Sequence, residues 1–276
     1  MWQMIALSAF VVSVSGHGRV LDPPGRASMW RKGYPTPHNY DDDGLNCGGF
    51  HTQYGVNHGL CGACGDAYNM ATPRTHELGG KYGLGIIVAE YEAGEVVEMT
   101  VQLSVYHKGY WYFKICTDPT SESNQECFDE HQLELEDGGY LYYPSTGGTF
   151  TVRYRIPDDI SCEHCVLQWR YVAGNNWGIC EDGRGELGCG DQETFGACSD
   201  IKITPNKYLS AESIPLPLSA MIGNFEGLLR LLRKENVAPY RSKPKRKHNN
   251  KKNHRQPRLK GINKSKKRKK VFDEYG

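Results

Sequence analysis

Val97-Glu98-Met99-Thr100-Val101-Gln102-Leu103-Ser104-Val105 alternates apolar and polar residues without a break. A period of two puts the valines, Met99 and Leu103 on one face of an extended chain and the polar residues on the other. The stretch therefore predicts a half-buried β-strand. The pattern recurs on either side. Trp111, Phe113 and Ile115 alternate with Tyr112 and Lys114; Phe150, Val152, Tyr154 and Ile156 alternate with Thr151, Arg153 and Arg155; Leu167, Trp169 and Tyr171 alternate with Gln168 and Arg170; and Ile201 and Ile203 flank Lys202. Gly-rich turns separate these runs and no long amphipathic helix interrupts them, so an all-β protein built as a β-sandwich is expected. Residues 21–80, rich in Gly, Pro, Asn and Cys, read as a long disulfide-tied loop region, and ordered loops of that length usually carry function.

Charge divides the chain. Residues 17–205 hold 13 Lys/Arg and 27 Asp/Glu, a net of −14, while residues 239–276 hold 16 Lys/Arg and 2 Asp/Glu, a net of +14. An acidic body excludes a basic nucleic-acid-binding fold, and no apolar run reaches the roughly 18 residues of a membrane span. The basic tail, residues 239–276, is expected to be disordered by self-repulsion, with anionic matrix as a partner that its charge would suit. Between body and tail, residues 206–238 read as a linker in which Met221, Ile222, Phe225, Leu228, Leu229 and Leu232 follow a short amphipathic helical pattern.

Met1–Gly16 has no charged side chain, an apolar run from Met4 to Val14, and small residues Val14 and Gly16 at the −3 and −1 positions of a signal-peptidase site. This reads as a secretory signal and predicts an extracellular protein. Ten cysteines, all in the acidic body, agree with an oxidising route and allow five disulfides, whose pairing the spacing does not assign. Cys61-Gly-Ala-Cys64 and Cys162-Glu-His-Cys165 have zinc-site spacing, a rival reading that the export route disfavours.

Cleavage after Gly16 would make His17 the first residue. An N-terminal histidine offers an α-amine and an imidazole from one residue, a nitrogen-rich chelate suited to copper. Such a site needs a second anchored histidine. His107 continues the alternation of Val101, Leu103 and Val105 but falls where the strand breaks at Gly109, ahead of the aromatic run Gly109-Tyr-Trp-Tyr-Phe113. His38, His51, His58, His76, His131 and His164 compete with it without that setting. Other catalytic patterns are lacking: there is no GxSxG, HExxH or Walker loop, and no carboxylate pair stands out as that of a glycosidase.

The start HGRVLDPPGRASMWR (17–31), then NCGGF, CGACGD, HKGYWYFKIC (107–116) and GCGDQETFGACSDI (188–201), resembles the lytic polysaccharide monooxygenases of auxiliary activity family 15, the invertebrate type. The resemblance covers about residues 17–203. It implies an immunoglobulin-like, fibronectin III-like sandwich, residues 17–205, with a flat copper site. Copper would be held by the amine and imidazole of His17 and by His107. The axial position would fall to Phe195, three residues before Cys198, which cannot coordinate. Glu193, two residues before Phe195, is the candidate beside the oxygen-binding position, with Gln192 as the alternative. The implied activity is oxidative cleavage of insoluble β-1,4-linked polysaccharide, chitin or cellulose, by a monomer fed by an external electron donor and O₂ or H₂O₂. Trp30, Tyr34, Tyr40 and Trp177, in loop-like stretches, are candidates for docking the polymer, although each would serve equally in a core. Two readings compete: a non-catalytic chitin- or matrix-binding module, and a secreted copper-binding protein without turnover.

Overall fold

Strand β3, Val96–Val105, alternates as expected: Val97, Met99, Val101 and Leu103 are buried, and Glu98 and Ser104 face solvent. The computed structural model describes residues 17–206. The expected signal segment 1–16, the expected helix of the linker and the basic tail lie outside the described residues. The other strands are β1 His17–Asp22, β2 Ala89–Glu92, β4 Tyr110–Cys116, β5 Glu134–Leu135, β6 Gly148–Arg155, β7 Cys162–Val172, β8 Trp177–Ile179, β9 Gly185–Leu187 and β10 Thr194–Thr204. One sheet has the order β1-β3-β6-β5; the second has the order β2-β10-β7-β4, with β2 parallel to β10. Strands β8 and β9 form a separate hairpin. The single α-helix among the described residues, α1 Gln125–Asp129, is capped by the Asn124 side chain.

The inner faces of the two sheets meet in one apolar core. Val20, Met99, Val101 and Leu103 come from the first sheet, and Trp111, Phe113, Trp169, Tyr171, Phe195 and Ile201 from the second. This is the sandwich that the alternation predicted. Inside the core Trp111 Nε1 donates to Tyr154 Oη at 3.1 Å, whereas Trp169 Nε1 is buried without a hydrogen-bond partner among the described residues.

In β7 the expected exposed face is absent. Gln168 and Arg170 are as buried as Leu167 and Trp169, because the long loop region folds over that side of the sheet. Gln168 Nε2 donates to the Ala63 carbonyl at 2.8 Å, and Arg170 Nη2 to the Gly62 carbonyl at 3.0 Å. Disulfides fix the loop there. Cys47 pairs with Cys61, Cys64 with Cys198 on β10, Cys116 with Cys127, Cys162 with Cys165 and Cys180 with Cys189. No cysteine is left free, so the zinc reading of the two CxxC pairs is set aside. A buried ion-pair cluster ties the same region down from another side: Arg26 Nη2 lies 2.5 Å from Asp200 Oδ1 and 2.8 Å from Glu122 Oε2.

Candidate metal centre

Strand β1 opens at His17, which sits opposite Val105 at the end of β3. His107 follows two residues later, in the short connector that carries the chain from the first sheet to the second. The register thus brings the start of the described chain to the connector. Gly18 holds this approach tight. A Cβ there would come within 2.8 Å of both Leu103 Cδ2 and the Trp169 ring, so only glycine lets β1 lie this close to the core.

The connector is held by the end of β7. The His107 N–H donates to Tyr171 Oη at 3.1 Å, and that hydroxyl donates to the Lys108 carbonyl at 2.5 Å. The His107 carbonyl accepts from the Gly174 N–H at 2.8 Å. Gly109 turns the chain into β4 with φ +73°, and a Cβ there would meet the Val172 carbonyl oxygen at 2.0 Å. Backbone strain and contact both require glycine at that position.

The ring of His107 is fixed as well. Its Nδ1 lies 2.9 Å from the Asn175 amide, and Nε2 has no hydrogen-bond partner among the described residues. The amide faces Nδ1 with its Nδ2 nitrogen and so donates to it; Nε2, free of partners, is the ring nitrogen left for a metal once the amide turns its carbonyl to a protonated Nδ1. Burial holds the His107 pKa below the ordinary imidazole value. The neighbouring Glu193 opposes that shift, and His17 adds to it. His107 is therefore neutral at pH 7, the form that ligates.

His17 is half-buried and makes no side-chain hydrogen bond among the described residues. Ligand atoms of His17, Asp41 and Asp43 lie within 4.8 Å of one another. The acidic loop is pinned to β1: Arg19 pairs with Asp42 and Asp43, Arg31 Nε reaches Asp42 Oδ2 at 2.5 Å, and the Asp43 carbonyl accepts from the Gly18 N–H at 2.9 Å. Sequence reading missed Asn175, Asp41, Asp43 and Tyr171 as neighbours of the two histidines. Nothing in their local pattern marks them, since each acts through a contact distant in sequence.

Glu193 precedes β10 and lies within electrostatic range of His107, and its Oε1 accepts from Asn46 Nδ2 at 3.0 Å. Gln192, its alternative, is committed elsewhere: the side chain is buried and bonds the Asn176 backbone and the Cys189 carbonyl at the base of the β8–β9 hairpin. Phe195 is fully buried, 5.9 Å from the Tyr171 ring whose hydroxyl holds the connector. Among the aromatics, Tyr40 (79% exposed) adjoins Asp41, and Trp177 (67% exposed) follows Asn175 by two residues. Trp30 and Tyr34 are half-buried. Trp30 donates to the Asn39 carbonyl and stacks on His38, and Tyr34 Oη donates to the Val88 carbonyl. Two imidazoles without hydrogen bonds at their ligating side form a donor set that fits copper.

The family described as lytic polysaccharide mono-oxygenase, cellulose-degrading, matches residues 17–201. The chain is 45% identical to a solved lytic polysaccharide monooxygenase AA15 from Thermobia domestica in the Cu(I) state. That match covers 68% of this chain and 98% of the other, with a TM-score of 0.66. It also matches an AA10 lytic polysaccharide monooxygenase from Streptomyces lividans at 14% identity, covering 67% of this chain and 99% of that one, with a TM-score of 0.40. No curated protein matches the chain. Residues 17–201 thus place the chain in the lytic polysaccharide monooxygenases, copper-dependent oxidoreductases that cleave polysaccharide, and its likeness to the Thermobia enzyme makes it one of the auxiliary activity 15 type.

Proposed function

We propose that the protein is secreted, that cleavage between Gly16 and His17 frees the His17 amine, and that this amine, the His17 imidazole and His107 hold the copper of a monooxygenase domain spanning residues 17–205. The observation that carries the reading is the meeting of two histidines, 90 positions apart in the sequence, at one end of the sandwich through the β1–β3 register, both without side-chain hydrogen bonds at the ligating side. Bound there, copper supplies one-electron activation of O₂ or H₂O₂ for attack on a glycosidic C–H bond, with an external donor providing the electron.

The chain's own residues would do the rest. Asn175 fixes the His107 ring, and Glu193, oriented by Asn46, holds or passes a proton beside it. Phe195 would pack against Tyr171 with a ring that cannot ligate copper. Tyr40, with Trp30 edge-on to it, and Trp177 would offer exposed rings against a flat polymer, and Tyr34 would add a half-buried one. The substrate is an insoluble β-1,4-linked polysaccharide, chitin or cellulose. Product mass spectrometry on both polymers, with copper and ascorbate, tests this. Soluble oligosaccharides carrying oxidised ends support it, and either no products or purely hydrolytic ones sink it.

The tail 239–276 is proposed to tether the enzyme to anionic matrix. Contacts of that kind fade as the Debye length shrinks from about 10 Å at 0.1 M salt to about 3 Å at 1 M. Truncation after Ala238 should abolish salt-sensitive retention on a heparin resin while copper binding stays intact. Equal retention of both forms overturns the tether.

A further inference from the structure

The β8–β9 hairpin begins where the chain has just met His107. Asn175 contacts the His107 ring, and Asn176 opens the hairpin. The Asn176 carbonyl accepts from the Gly188 N–H at 2.7 Å, and the Gln192 side chain bonds the Asn176 N–H and carbonyl, each at 3.0 Å. The Cys180–Cys189 disulfide ties the end of β8 to the returning chain. A two-stranded hairpin is marginal by itself, and these ties hold it without an apolar cover.

Its two faces are unlike. Trp177 and Ile179 share one face of β8, and Gly178 takes the other. Directly opposite residues of an antiparallel pair also share a face, so Leu187, opposite Trp177, and Gly185, opposite Ile179, complete the first one. The Gly178 face is covered, since a Cβ there would meet the Cys189 carbonyl oxygen at 2.0 Å. The first face is open: Trp177 is 67% exposed, Ile179 57% and Leu187 48%. A Cβ on Gly185 would come within 2.1 Å of Trp177 Cζ2 and 3.0 Å of Cε2, so the ring lies across that glycine. The four positions form a square. The indole spans one diagonal, from Trp177 to Gly185, and Ile179 and Leu187 stand at the other two corners, one on each side of the ring.

The chain belongs to enzymes that cleave polysaccharide, and this apolar face starts two residues beyond a side chain that contacts a copper-ligand candidate. It is therefore continuous with the surface that meets the polymer. The edges of the polymer decide which one fits. A pyranose ring stacks its C–H face on an indole in cellulose and in chitin alike. Cellulose carries hydroxyls along both edges, and over Ile179 and Leu187 these would lose water without gaining a hydrogen bond. Chitin replaces one hydroxyl of each sugar with an acetamido group that ends in an apolar methyl. Successive sugars of a β-1,4 chain are turned over, so the methyls emerge on alternate edges, one for each side of the ring.

We propose that Ile179 and Leu187, flanking Trp177, are specificity-determining residues that receive acetamido methyls, so that the hairpin selects chitin over cellulose. This selection rests on the monooxygenase reading of the copper centre.

Partition of the full-length, copper-loaded protein between solution and microcrystalline chitin or cellulose tests it. About 1 M salt, where the Debye length is about 3 Å, screens the charges of the tail. The parent is expected to bind chitin at least tenfold more strongly than cellulose. Ile179→Thr with Leu187→Thr, at exposed strand positions that suit a β-branched residue, should weaken chitin at least fivefold and cellulose less than twofold, with copper affinity unchanged. Should that pair fail to fold, Ile179→Thr alone should still weaken chitin selectively. Gly185→Ala keeps both aliphatic residues but lifts the ring, and should weaken both polymers severalfold. The proposal is overturned by a parent that prefers cellulose, by equal losses on the two polymers, by unchanged chitin binding in the Thr variants, or by Gly185→Ala binding both polymers as the parent does. Oxidised products separate this failure from that of the underlying reading. Their presence without a selective loss sinks the hairpin's role alone, whereas their absence from both polymers sinks the monooxygenase reading and the proposal with it.

Discussion

Asn175 stands 2.9 Å from Nδ1 of His107, and the Gly174 N–H beside it holds the His107 carbonyl. The end of β7 thus fixes both the backbone and the ring orientation of a residue that belongs to the β3–β4 connector. Outer hydrogen bonds of this kind typically contribute 10–100-fold to metal affinity. Asn175→Ala is expected to weaken copper binding by about that factor while the melting temperature changes little. Titration calorimetry with a competing chelator measures the first, and unchanged affinity would remove Asn175 from the site.

His17→Ala and His107→Ala should each lose copper affinity steeply, because each deletes part of one chelate. Phe195→Leu should keep one copper per chain. Its cost appears in folding instead, since the ring is fully buried against Tyr171. A loss of about 1–3 kcal/mol in urea unfolding is expected from the changed shape and volume. Loss of copper with unchanged stability would reverse the two roles.

How much of this was legible in the sequence depends on burial. Strands β3 and β4 face the core on one side and water or a partly open surface on the other, so their alternation stands out. Strands β7 and β10 are buried on both faces, and the polar residues that break their apolar runs, Gln168 and Arg170, bond to the overlying loop. Their pattern therefore suggested a solvent face that does not exist. His17 attracted attention only through its position after a small-residue cleavage site. Asn175 carried no signal, because its partner lies 68 positions away and is reached only once β7 and the connector meet. The disulfide pairing was equally closed to sequence reading, since Cys64 finds Cys198 across 134 positions while Cys162 finds Cys165 across three.

Those two disulfides should differ in what they contribute. In the chain-entropy account, closing the long loop stabilises by about 5 kcal/mol and the short one by about 2 kcal/mol. Cys64→Ala/Cys198→Ala is expected to lower unfolding free energy by more than Cys162→Ala/Cys165→Ala. Equal losses in denaturant titrations would show that strain or packing, not loop closure, decides.

Arg26 joins Asp200 and Glu122 where no water reaches, and also donates to the His76 carbonyl at 2.8 Å. Arg26→Met leaves two acids facing each other in the interior. A loss of about 3–5 kcal/mol is expected, read as a drop in urea midpoint. A variant as stable as the parent would mean that His164 on Asp200 and the Leu78 N–H on Glu122 suffice for the two carboxylates.

Copper binding through a freed His17 amine is the claim on which the functional account turns. The most direct measurement compares the mature protein beginning at His17 with a form that retains Gly16 ahead of it, using copper titration and product mass spectrometry on chitin and cellulose. The account predicts one tightly bound copper and oxidised oligosaccharides for the first, and a large loss of both for the second, because one extra residue turns the amine into an amide. Equal copper affinity and equal oxidised product from the two forms would contradict it.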